Sequence, residues 1–597
     1  MDTRDWHYVK PNDQNRIPRR HMVMDAGARY TSTKWGREFT WRTGHVWFAN
    51  IPKGRKPKFS ESGYATPLEL WQAVTDNCVA NGRTVLWAHN VGWQLRIADA
   101  FRILPSLGWE LTAHNLIPHG SWMVWRNNTK SLTICDVASV FPTIVPEIGK
   151  WFGLGKPRMP TEKDPTQAWD VHCRATVRII ATAIMAYLSW LDTEGMGNWQ
   201  ITGAGQAWAA YRHNWMRHRL LVHADPEAMA AERRAMWTGR CEAYWHGSER
   251  RQVLHEWDLH VAYARIARDH NVPTRLIGEM PPRYDWRGAL ENPRVALLAE
   301  VSVQTEVPSV PAEVDGHIAW PVGRFDTTLW DVEIRQAIAD GAQVTVRRGW
   351  LYHADPALRE WAQWCIAMLS APDDVCPAWR KAVVKHWVRA LVGRFAMQYS
   401  TWENWATTTI MGAERLTLID DVDHVTVDLM HIGDVLWRES GVTDWGQSMA
   451  AITGYVMSAL RVRLWQLKQQ LPSKAVLYVD TDSLLATDDW FHSIDALSAT
   501  PMGEGLRLKT SWRGFTIHGP RQIVTGKRVR MAGVPLRSEL RGAGKFEGEV
   551  YESVDVALRA GRPGMVRAVN RSWTVKGRDR RRSGPAVGFT RPLRIGA

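Results

Sequence analysis

The sequence predicts a multidomain protein of mixed α/β and α+β class, and three observations lead to this prediction. The chain has 597 residues, and since domains of about 150 residues are typical, several folded cores are expected. Hydrophobic residues make up 45% and charged residues 23% of the chain, a globular balance that excludes a mostly disordered or collagen-like protein. Finally, segments typical of strands alternate with segments typical of helices.

The predicted elements follow one another in a consistent order. The first 190 residues or so alternate β-rich stretches (40–51, 84–88 and 132–137) with helical ones and end in an apolar helix at 177–191, which is an α/β pattern. Later elements are strand-like runs at 295–303 and 342–347, helices near 329–339, 356–395 and 450–471, short hairpins over 405–440, and a strand, turn and strand at 475–487.

The charge of the chain favours a polyanionic partner. Lys and Arg number 75 against 61 Asp and Glu, which gives a net charge of +14 and a pI near 9.6. From Ala557 onward there are 11 Lys or Arg and a single acid, Asp579. Such a run indicates either contact with a nucleic-acid backbone or a solvated, frayed tail.

Membrane insertion and export are not expected. The longest apolar candidate, Val177 to Leu191, is short and interrupted by Arg178, so it predicts a buried helix and no membrane partner. The charged start at residues 1–6 lacks the apolar core of a signal peptide, and we expect a cytoplasmic protein of a bacterium or a phage-infected host. The 6 cysteines contain no Cys-x-x-Cys pair, which favours reduced, buried thiols.

Residues 476–485 carry the most informative motif. Apolar runs flank Asp480-Thr481-Asp482-Ser483, which predicts two strands joined by a turn. The spacing i, i+2 points both carboxylates the same way from an extended chain. Two clustered aspartates favour a cation between them, and oxygen-rich sites suit Mg²⁺. The alternative is an ordinary β-turn that contains aspartate.

Two further segments carry candidate chemistry. Asp258 follows a strand-like run at 253–257, although Asp is also favoured as a helix N-cap. Lys381, Lys385 and Arg389 stand at i, i+4 and i+8 on one helix face, and no acid lies between residues 376 and 397. An uncompensated basic stripe favours binding of a triphosphate. The opposite face of this helix is predicted to be buried through Val384, Trp387, Val388, Leu391, Val392 and Phe395.

These segments together resemble a known family. Asp258-x4-Tyr263, Lys385-x7-Gly393 and Tyr478-Val-Asp480-Thr-Asp482-Ser483 resemble, in this order, motifs A, B and C of the family B DNA polymerases. The length and the separate segments between motifs most resemble the small protein-primed subgroup of phages and linear plasmids. In motif B the family's Asn, Ser and Tyr are replaced by Arg389, Ala390 and Val392.

The resemblance implies a fold, an activity and partners. The fold is a right-hand polymerase of palm, fingers and thumb behind an N-terminal RNase H-like exonuclease-type domain. The activity is DNA-directed DNA synthesis, in which dNTPs are added to a 3′-hydroxyl. The expected partners are a DNA template and primer, dNTPs, and a terminal protein whose hydroxyl serves as primer.

The resemblance also implies roles for individual residues. Asp258 and Asp482, with the backbone carbonyl of Leu259, would hold two Mg²⁺ ions, with Mn²⁺ as an alternative, and Asp480 would lie nearby as a third catalytic carboxylate. Tyr263 would pack under the deoxyribose and exclude a 2′-hydroxyl. The expected nucleotide-binding cations are Lys381, Lys385 and Arg389, and the expected primer and DNA contacts are Arg521, Lys527, Arg578, Arg580, Arg581 and Arg582.

The first 190 residues resemble the proofreading exonuclease domain of the same family without its chemistry. Two-metal hydrolysis needs clustered carboxylates. At the family's motif positions this chain has Asp25, Gly27, Gln94 and Thr176, so only one acid remains. Proofreading is therefore expected to be lost.

Three alternatives remain open at this point. The chain could be a 3′–5′ exonuclease that uses other acids of the first region, such as Glu38, Glu162 or Asp170. It could be a non-catalytic DNA-binding protein on the same fold, although the retained Asp258, Lys385, Asp480 and Asp482 speak against a relic. It could also copy RNA, although reverse transcriptases carry adjacent aspartates.

The predicted division of the chain follows the motifs. It comprises an inactive exonuclease-like domain (1–190), the first part of the palm with motif A (191–275), an insertion between motifs A and B (276–355), the fingers with motif B (356–400), a hairpin insertion (401–448), the second part of the palm with motif C (449–535), and a basic thumb and tail (536–597).

Overall fold

The computed structural model describes most of the chain. The described residues are 6–33, 36–52, 56–116, 120–419, 426–525, 528–531, 534, 538–542, 545–551, 566–574 and 581–596. Three predicted DNA contacts, Lys527, Arg578 and Arg580, lie outside these residues, as does the side chain of Glu38.

A large sheet dominates the first region. Its centre is parallel, because the strand Arg20–Thr33 runs alongside Arg83–Ala88, which in turn pairs in parallel with Lys130–Asp136. The complete order of the sheet is Glu539–Gly542, Lys545–Tyr551, Val566–Thr574, Gly36–Asn50, Arg20–Thr33, Arg83–Ala88, Lys130–Asp136, Trp122–Asn127 and Glu110–Asn115, with Lys58–Tyr64 also paired to Gly36–Asn50. The three strands from residues 539–574 thus extend the sheet of the first region.

Five helices accompany this sheet: Pro67–Asp76, Val91–Ile97, Ala100–Ser106, Val145–Trp151 and Thr166–Thr193. The last one is, within the described part of the chain, the one helix long and apolar enough to cross a membrane, but 61% of its most apolar window is buried. It packs on the strands Arg20–Thr33 and Gly36–Asn50. Every turn of this helix from Trp169 to Leu191 has buried residues, which agrees with the predicted core helix.

A second, mostly antiparallel sheet carries two of the predicted motifs. Its order is Cys241–Ala243, Tyr478–Asp480, Ser483–Thr487, Trp245–Leu259, Leu506–Gly519, Gln522–Thr525 and Arg528–Met531, with Gly588–Phe589 added beside Trp245–Leu259. Helices around it are Gly203–Asn214, Pro226–Arg234, Ala262–Asp269, Arg359–Ser370, Ala378–Phe395, Ala450–Gln469 and Phe491–Ser498. The strand, turn and strand predicted at 475–487 is confirmed.

A third sheet lies between the first two motif segments in sequence. Its order is Val272–Glu279, Gln343–Asp355, Val295–Thr305, Val322–Trp330 and Arg594–Ile595, and it carries the helices Trp286–Glu291 and Asp331–Ala339. Smaller pairs of strands are His7–Tyr8 with Leu221–Val222, Ala312–Val314 with His317–Ala319, and Arg582–Ser583 with Arg591–Pro592.

One long hairpin replaces the short hairpins predicted over 405–440. Its strands are Gln398–Ile419 and Thr426–Asp444. Ala413, Met430 and Ile432 from this hairpin join the hydrophobic cluster of the first region. The far half of the hairpin is therefore covered by the first region, while the pairing exceeds the predicted bounds at the base, over residues 398–404 and 441–444.

A continuous hydrophobic core joins the first region to the second sheet. It includes Trp190 of the helix Thr166–Thr193 and Trp387 of the helix Ala378–Phe395, which is the basic helix. It also includes Val479 and Leu484, on either side of the Asp480–Ser483 turn. The rings of Trp190 and Trp387 are 5.1 Å apart. The predicted buried stripe of the helix Ala378–Phe395 is confirmed, and all six cysteines are buried and free, as expected.

Candidate active site

Asp258 and Asp482 come together where two strands meet. Asp258 lies at the end of the strand Trp245–Leu259 and pairs with Ser483 across the sheet. The next residue, Leu259, donates its backbone N–H to the carbonyl of Asp482 over 2.8 Å. The alternative in which Asp258 caps a helix is wrong, because the following helix, Ala262–Asp269, begins after Val261.

The turn between the two aspartates is tight. Asp480 pairs with Ser483, so Thr481 and Asp482 form the two-residue loop, and Thr481 has a φ of 59°. The backbone here is a turn, so the extended chain from which both carboxylates were predicted to point the same way is not present. Asp480 accepts hydrogen bonds from the Thr481 hydroxyl at 3.0 Å and from the Tyr478 hydroxyl at 3.3 Å, whereas Asp482 faces a different set of charges.

The pKa of Asp482 is raised to about 6. Burial is the largest cause, and the neighbouring carboxylates of Asp258 and Asp480 act in the same direction, while Lys509 and Arg389 partly oppose them. The carboxylates of Asp258 and Asp480 repel that of Asp482, and the nearby cations do not fully neutralise them. A divalent cation would relieve this repulsion.

Lys509 is a site residue that the sequence analysis missed. It lies on the strand Leu506–Gly519, with its Nζ 3.6 Å from Asp258 Oδ1 and 3.0 Å from Glu256 Oε1. Glu256 is buried and the lysine is half exposed. The motifs gave no signal for this residue, because its position depends on the register of the strand Leu506–Gly519, which begins 24 residues after Asp482 (506 − 482 = 24).

Tyr263 and Arg389 face the same carboxylate from two helices. The pKa of Tyr263 is raised by burial and then by Asp482, while Arg389 lowers it. Tyr263 follows Val261, whose φ of 57° marks the sharp turn from strand to helix. This turn brings the phenol of motif A beside the turn of motif C.

The basic helix presents two of its three predicted cations openly. Lys385 and Arg389 are exposed, and Lys385 together with Arg507 helps to lower the pKa of His260 to about 4, an effect led by burial. The expectation of an uncompensated stripe is wrong at Lys381, because its Nζ forms an ion pair with Asp373 Oδ1 at 2.7 Å. Asp373 lies in the loop before the helix, outside the acid-free stretch between residues 376 and 397.

Asp258 and Asp482 supply oxygen atoms of the kind that Mg²⁺ prefers, but too few to hold an ion alone. Across the residues that the structure describes, no group of three or more His, Cys, Asp or Glu side chains is close enough to hold a metal ion alone. Mg²⁺ is commonly held in proteins by one or two carboxylates together with substrate phosphates and water. Asp258, Asp482 and the carbonyl of Leu259 match that pattern.

The predicted DNA contacts divide into two groups. Arg521 lies at the edge of the site, with its Nε 3.9 Å from Asp480 Oδ2. Arg581 lies nearby, because both arginines line one cavity of about 240 Å³. Arg581 is partly exposed. Arg582 corrects the prediction. Its guanidinium is buried and donates to Glu242 Oε1 at 2.6 Å, so it faces the interior of the protein.

The first region places its retained motif residues together without building a carboxylate cluster. Gln94 Nε2 donates to Asp25 Oδ1 over 2.8 Å. Cys173 and Thr176 lie beside this aspartate and act to lower its pKa, while the Thr176 hydroxyl donates to the carbonyl of His172 at 3.0 Å. Burial raises the pKa of Asp25 to about 6 against the opposing charge of Lys156. The motif register predicted from the sequence therefore brings Asp25, Gln94 and Thr176 to one point.

The other acids proposed for a nuclease have structural partners. Glu162 accepts the backbone N–H of Tyr30 at 2.8 Å, and Asp170 bonds to His45 and to Arg174. Among the described side chains, then, the acids of this alternative are engaged with their own partners.

Comparison with solved structures identifies the fold. The phi29 DNA polymerase in a ternary complex with primer-template DNA and incoming nucleotide matches with a TM-score of 0.62 and 14% identity, covering 94% of this chain and 100% of that one. The same polymerase complexed with single-stranded DNA matches with a TM-score of 0.59 over the same shares of both chains, also at 14% identity. No protein-family model and no curated protein sequence matches the chain. The resemblance predicted from the motifs is thus confirmed for the fold, and the chain has a mixed α/β multidomain fold like that of phi29 DNA polymerase.

Proposed function

We propose that this protein is a DNA-directed DNA polymerase that adds dNTPs to a 3′-hydroxyl by two-metal phosphoryl transfer. The observation that carries the proposal is the meeting of Asp258 and Asp482 beside Tyr263 and Arg389, from three segments far apart in sequence. The match to a polymerase complexed with primer-template DNA and incoming nucleotide supports the same partners here.

Each carboxylate has a role in this proposal. Asp258, Asp482 and the carbonyl of Leu259 would hold Mg²⁺, which would supply charge to activate the 3′-hydroxyl and to neutralise the triphosphate. The backbone bond from Leu259 to Asp482 fixes the two segments relative to each other. Asp480, held by Tyr478 and Thr481, maintains the shape of the turn and faces Arg521.

The cations and the tyrosine would bind the nucleotide. Lys385 and Arg389 stand one helical turn apart on the exposed face and would contact the phosphates. Lys381 would contribute less, since Asp373 already neutralises it. Tyr263, half-buried between the turn and the basic helix, would pack under the sugar and exclude a 2′-hydroxyl.

Proofreading is absent from this proposal. Asp25 is bonded to the neutral side chain of Gln94, and no second motif carboxylate accompanies it among the described residues at that point. The first region would then act as structural support and contact single-stranded DNA. Priming by a terminal protein and residence in the cytoplasm remain parts of the proposal that follow from the resemblance.

Nucleotide incorporation tests the proposal directly. The parent protein and Asp482→Ala would be compared on a primed DNA template with dNTPs and Mg²⁺. We expect incorporation to vanish in the variant while binding to the same DNA in a gel-shift assay persists, because Asp482 contacts the metal and not the duplex. Asp488→Ala is the matched control, since this exposed aspartate directly follows the strand Ser483–Thr487, at the end away from Asp482, and bonds to His255.

Equal incorporation by the parent and Asp482→Ala would contradict the proposal. Release of nucleotides from a labelled 3′ end without dNTPs would favour the exonuclease alternative. DNA binding by the parent without incorporation or hydrolysis would favour the non-catalytic alternative.

A further inference from the structure

A buried ion pair joins the C-terminal part of the chain to the strand Cys241–Ala243, which pairs with the strand that leads into the Asp480–Asp482 turn. The side chain of Arg582 is 5% exposed and that of Glu242 is 0% exposed, and their closest atoms are 2.6 Å apart. Glu242 also accepts Arg240 Nε at 2.6 Å and the hydroxyl of Tyr244 at 2.9 Å. A carboxylate in this position is stable only while its cations stay in place.

Glu242 lies at the centre of a cluster of side chains that is rich in positive charge. Lys468 lies 4.7 Å above the ring of Tyr244, and its pKa is lowered to about 8 by burial and then by Arg240. The guanidinium of Arg582 is also 4.7 Å from the same ring. Two arginines and a lysine thus converge on one acid and one aromatic ring.

The strand of Glu242, Cys241–Ala243, lies directly beside the Asp480–Asp482 turn (the catalytic turn) and determines its position. Cys241 pairs with Asp480, and Glu242 pairs with Val479. The carbonyl of Arg240 accepts the backbone N–H of Thr481 at 2.8 Å. Thr481 is a β-branched residue in the left-handed region, a conformation that persists only where neighbours hold it.

Close packing reinforces this hydrogen bond. A side chain at Gly239 would begin 2.6 Å from the hydroxyl oxygen of Thr481, so the backbone of residues 239–241 lies directly against the turn. A shift of this backbone would therefore move Asp482 relative to Asp258.

The C-terminal segment, residues 581–596, holds the same strand at a second point. Thr590 donates its backbone N–H to the carbonyl of Tyr244 and its hydroxyl to the carbonyl of Ala243, both at 2.8 Å. The Thr590 hydroxyl oxygen in turn accepts Arg582 Nε at 2.7 Å. Arg582 and Thr590 thus act as one unit on residues 242–244.

The far end of the C-terminal segment is attached to the third sheet. Val322 donates its backbone N–H to the carbonyl of Leu593 at 2.8 Å, and Arg594 forms an ion pair with Glu306. Gly323 has a φ of 99°, and a Cβ there would lie 2.0 Å from the carbonyl oxygen of Ile595. Only glycine allows this approach.

We propose that the C-terminal segment is a strap that positions the catalytic turn, and that Arg582 is its positioning residue, acting through Glu242 and the 240–241 backbone. This inference rests on the proposed function for its effect on activity, but its effect on the turn does not. Small displacements of catalytic groups by remote changes lower rates by about 100-fold, so Arg582→Met is expected to lower kcat by about 10-fold to 100-fold with a KM for dNTP within about threefold of the parent.

The experiment compares Arg582→Met with the parent in the full-length chain. Steady-state incorporation gives kcat and KM, and hydrogen exchange measured by mass spectrometry follows peptides covering residues 239–244 and 476–485. We expect faster exchange in both peptides. Arg582→Lys, which keeps the positive charge, should recover part of kcat and part of the protection.

Arg591→Met is the matched control. Arg591 is an exposed arginine of the same segment and faces Ser583 across the small strand pair, so its loss should change neither kcat nor exchange at 476–485. Should Arg582→Met unfold at the assay temperature, Thr590→Val replaces it. This substitution removes the bridging hydroxyl at nearly constant volume and should shift both measurements in the same direction.

Two results would overturn the strap. One is an Arg582→Met protein that exchanges at 476–485 like the parent and like Arg591→Met. The other is a loss of protection spread evenly over all three sheets, which would indicate a general loss of stability. If the parent incorporates no nucleotide, the proposed function fails, while the exchange data still decide whether the strap exists.

Discussion

The first region and the second sheet each hold an aspartate whose pKa is raised to about 6, chiefly by burial, but the two aspartates have different neighbours. At Asp25 the cause is burial, and its neighbours are the amide of Gln94, the hydroxyl of Thr176 and the thiol of Cys173. At Asp482 burial is joined by repulsion from Asp258 and Asp480. The carboxylate of Asp25 is surrounded by neutral polar groups, whereas the carboxylate of Asp482 lies near two other carboxylates, whose repulsion a cation would relieve.

This comparison teaches that two aspartates with similarly raised pKa values need not share a chemistry. Asp25 lies inside the strand Arg20–Thr33, whereas Asp482 lies in a turn between two strands, and only the second site brings carboxylates from separate segments together. Function in this molecule is therefore assigned from the partners of each aspartate.

The largest expected effect separates the two aspartate environments by activity. Asp258→Asn should lower the rate of dNTP incorporation by about 1,000-fold, since loss of a metal-bound carboxylate removes several kcal/mol of charge stabilisation. Asp25→Asn should change that rate by less than about twofold. Single-turnover incorporation on one primed template measures both variants. Comparable losses in the two proteins would break the distinction between the sites.

The second prediction concerns stability and pH. Because burial raises the pKa of Asp25 from 3.8 to about 6, the folded state favours the protonated form, and stability falls as the pH rises from about 4 to about 6. Ionised Asp25 therefore destabilises the fold at pH 7.5 by about 3 kcal/mol. Asp25→Asn should melt at a higher temperature than the parent at pH 7.5, and the difference should disappear near pH 4.

Thermal melts followed by tryptophan fluorescence across this pH range check the second prediction. A variant that is less stable than the parent at pH 7.5 would show that the hydrogen bonds of the ionised carboxylate outweigh its burial. Thr176→Val leaves the carboxyl in place and should retain the pH dependence.

The basic helix sharpens the comparison, because cations that face phosphate are a property of the second site. Lys385→Met should raise the KM for dNTP by about tenfold or more, as expected for the loss of a charge-assisted hydrogen bond. Lys381→Met is the matched control on the same helix and should raise the KM by no more than about threefold, because Lys381 is paired with Asp373. Equal effects would place the triphosphate elsewhere on the helix.

The smallest expected effect concerns Lys509, the cation beside Asp258. Lys509→Met removes a positive charge 3.6 Å from a proposed metal ligand and should lower the Mg²⁺ concentration for half-maximal incorporation by about fivefold, allowing for solvent screening of a half-exposed ammonium. Lys150→Met is the control, since Lys150 forms an ion pair with Glu147 far from the site. An increased Mg²⁺ requirement would show that Lys509 assists metal binding.

The sequence predicted the parts of the site that lie in contiguous motifs. The Asp480–Ser483 hairpin, the buried face of the basic helix and the motif positions of Asp25, Gln94 and Thr176 could all be located. Local spacing and periodicity define such features, so they survive at 14% identity to the matching structure.

Features that depend on distant parts of the chain were missed or misassigned. Lys509 reaches Asp258 only through the register of another strand, and Asp373 neutralises Lys381 from a preceding loop. Arg582 occurs in a run of arginines that is typical of a nucleic-acid contact, yet its partner Glu242 lies 340 residues earlier. Composition identifies a charge, but only the fold determines whether that charge faces solvent or another side chain.

Direct measurement of divalent-metal binding tests the central claim most closely. Mn²⁺ titrations followed by electron paramagnetic resonance would compare the parent, Asp482→Asn and Asp25→Asn, each bound to a primed template with a non-extendable 3′ end and the matching dNTP. We predict that Asp482→Asn loses most of the protein-dependent Mn²⁺ binding and that Asp25→Asn binds Mn²⁺ like the parent. Retained binding in Asp482→Asn, or its loss in Asp25→Asn, would contradict the assignment of the metal site to the Asp258–Asp482 meeting point.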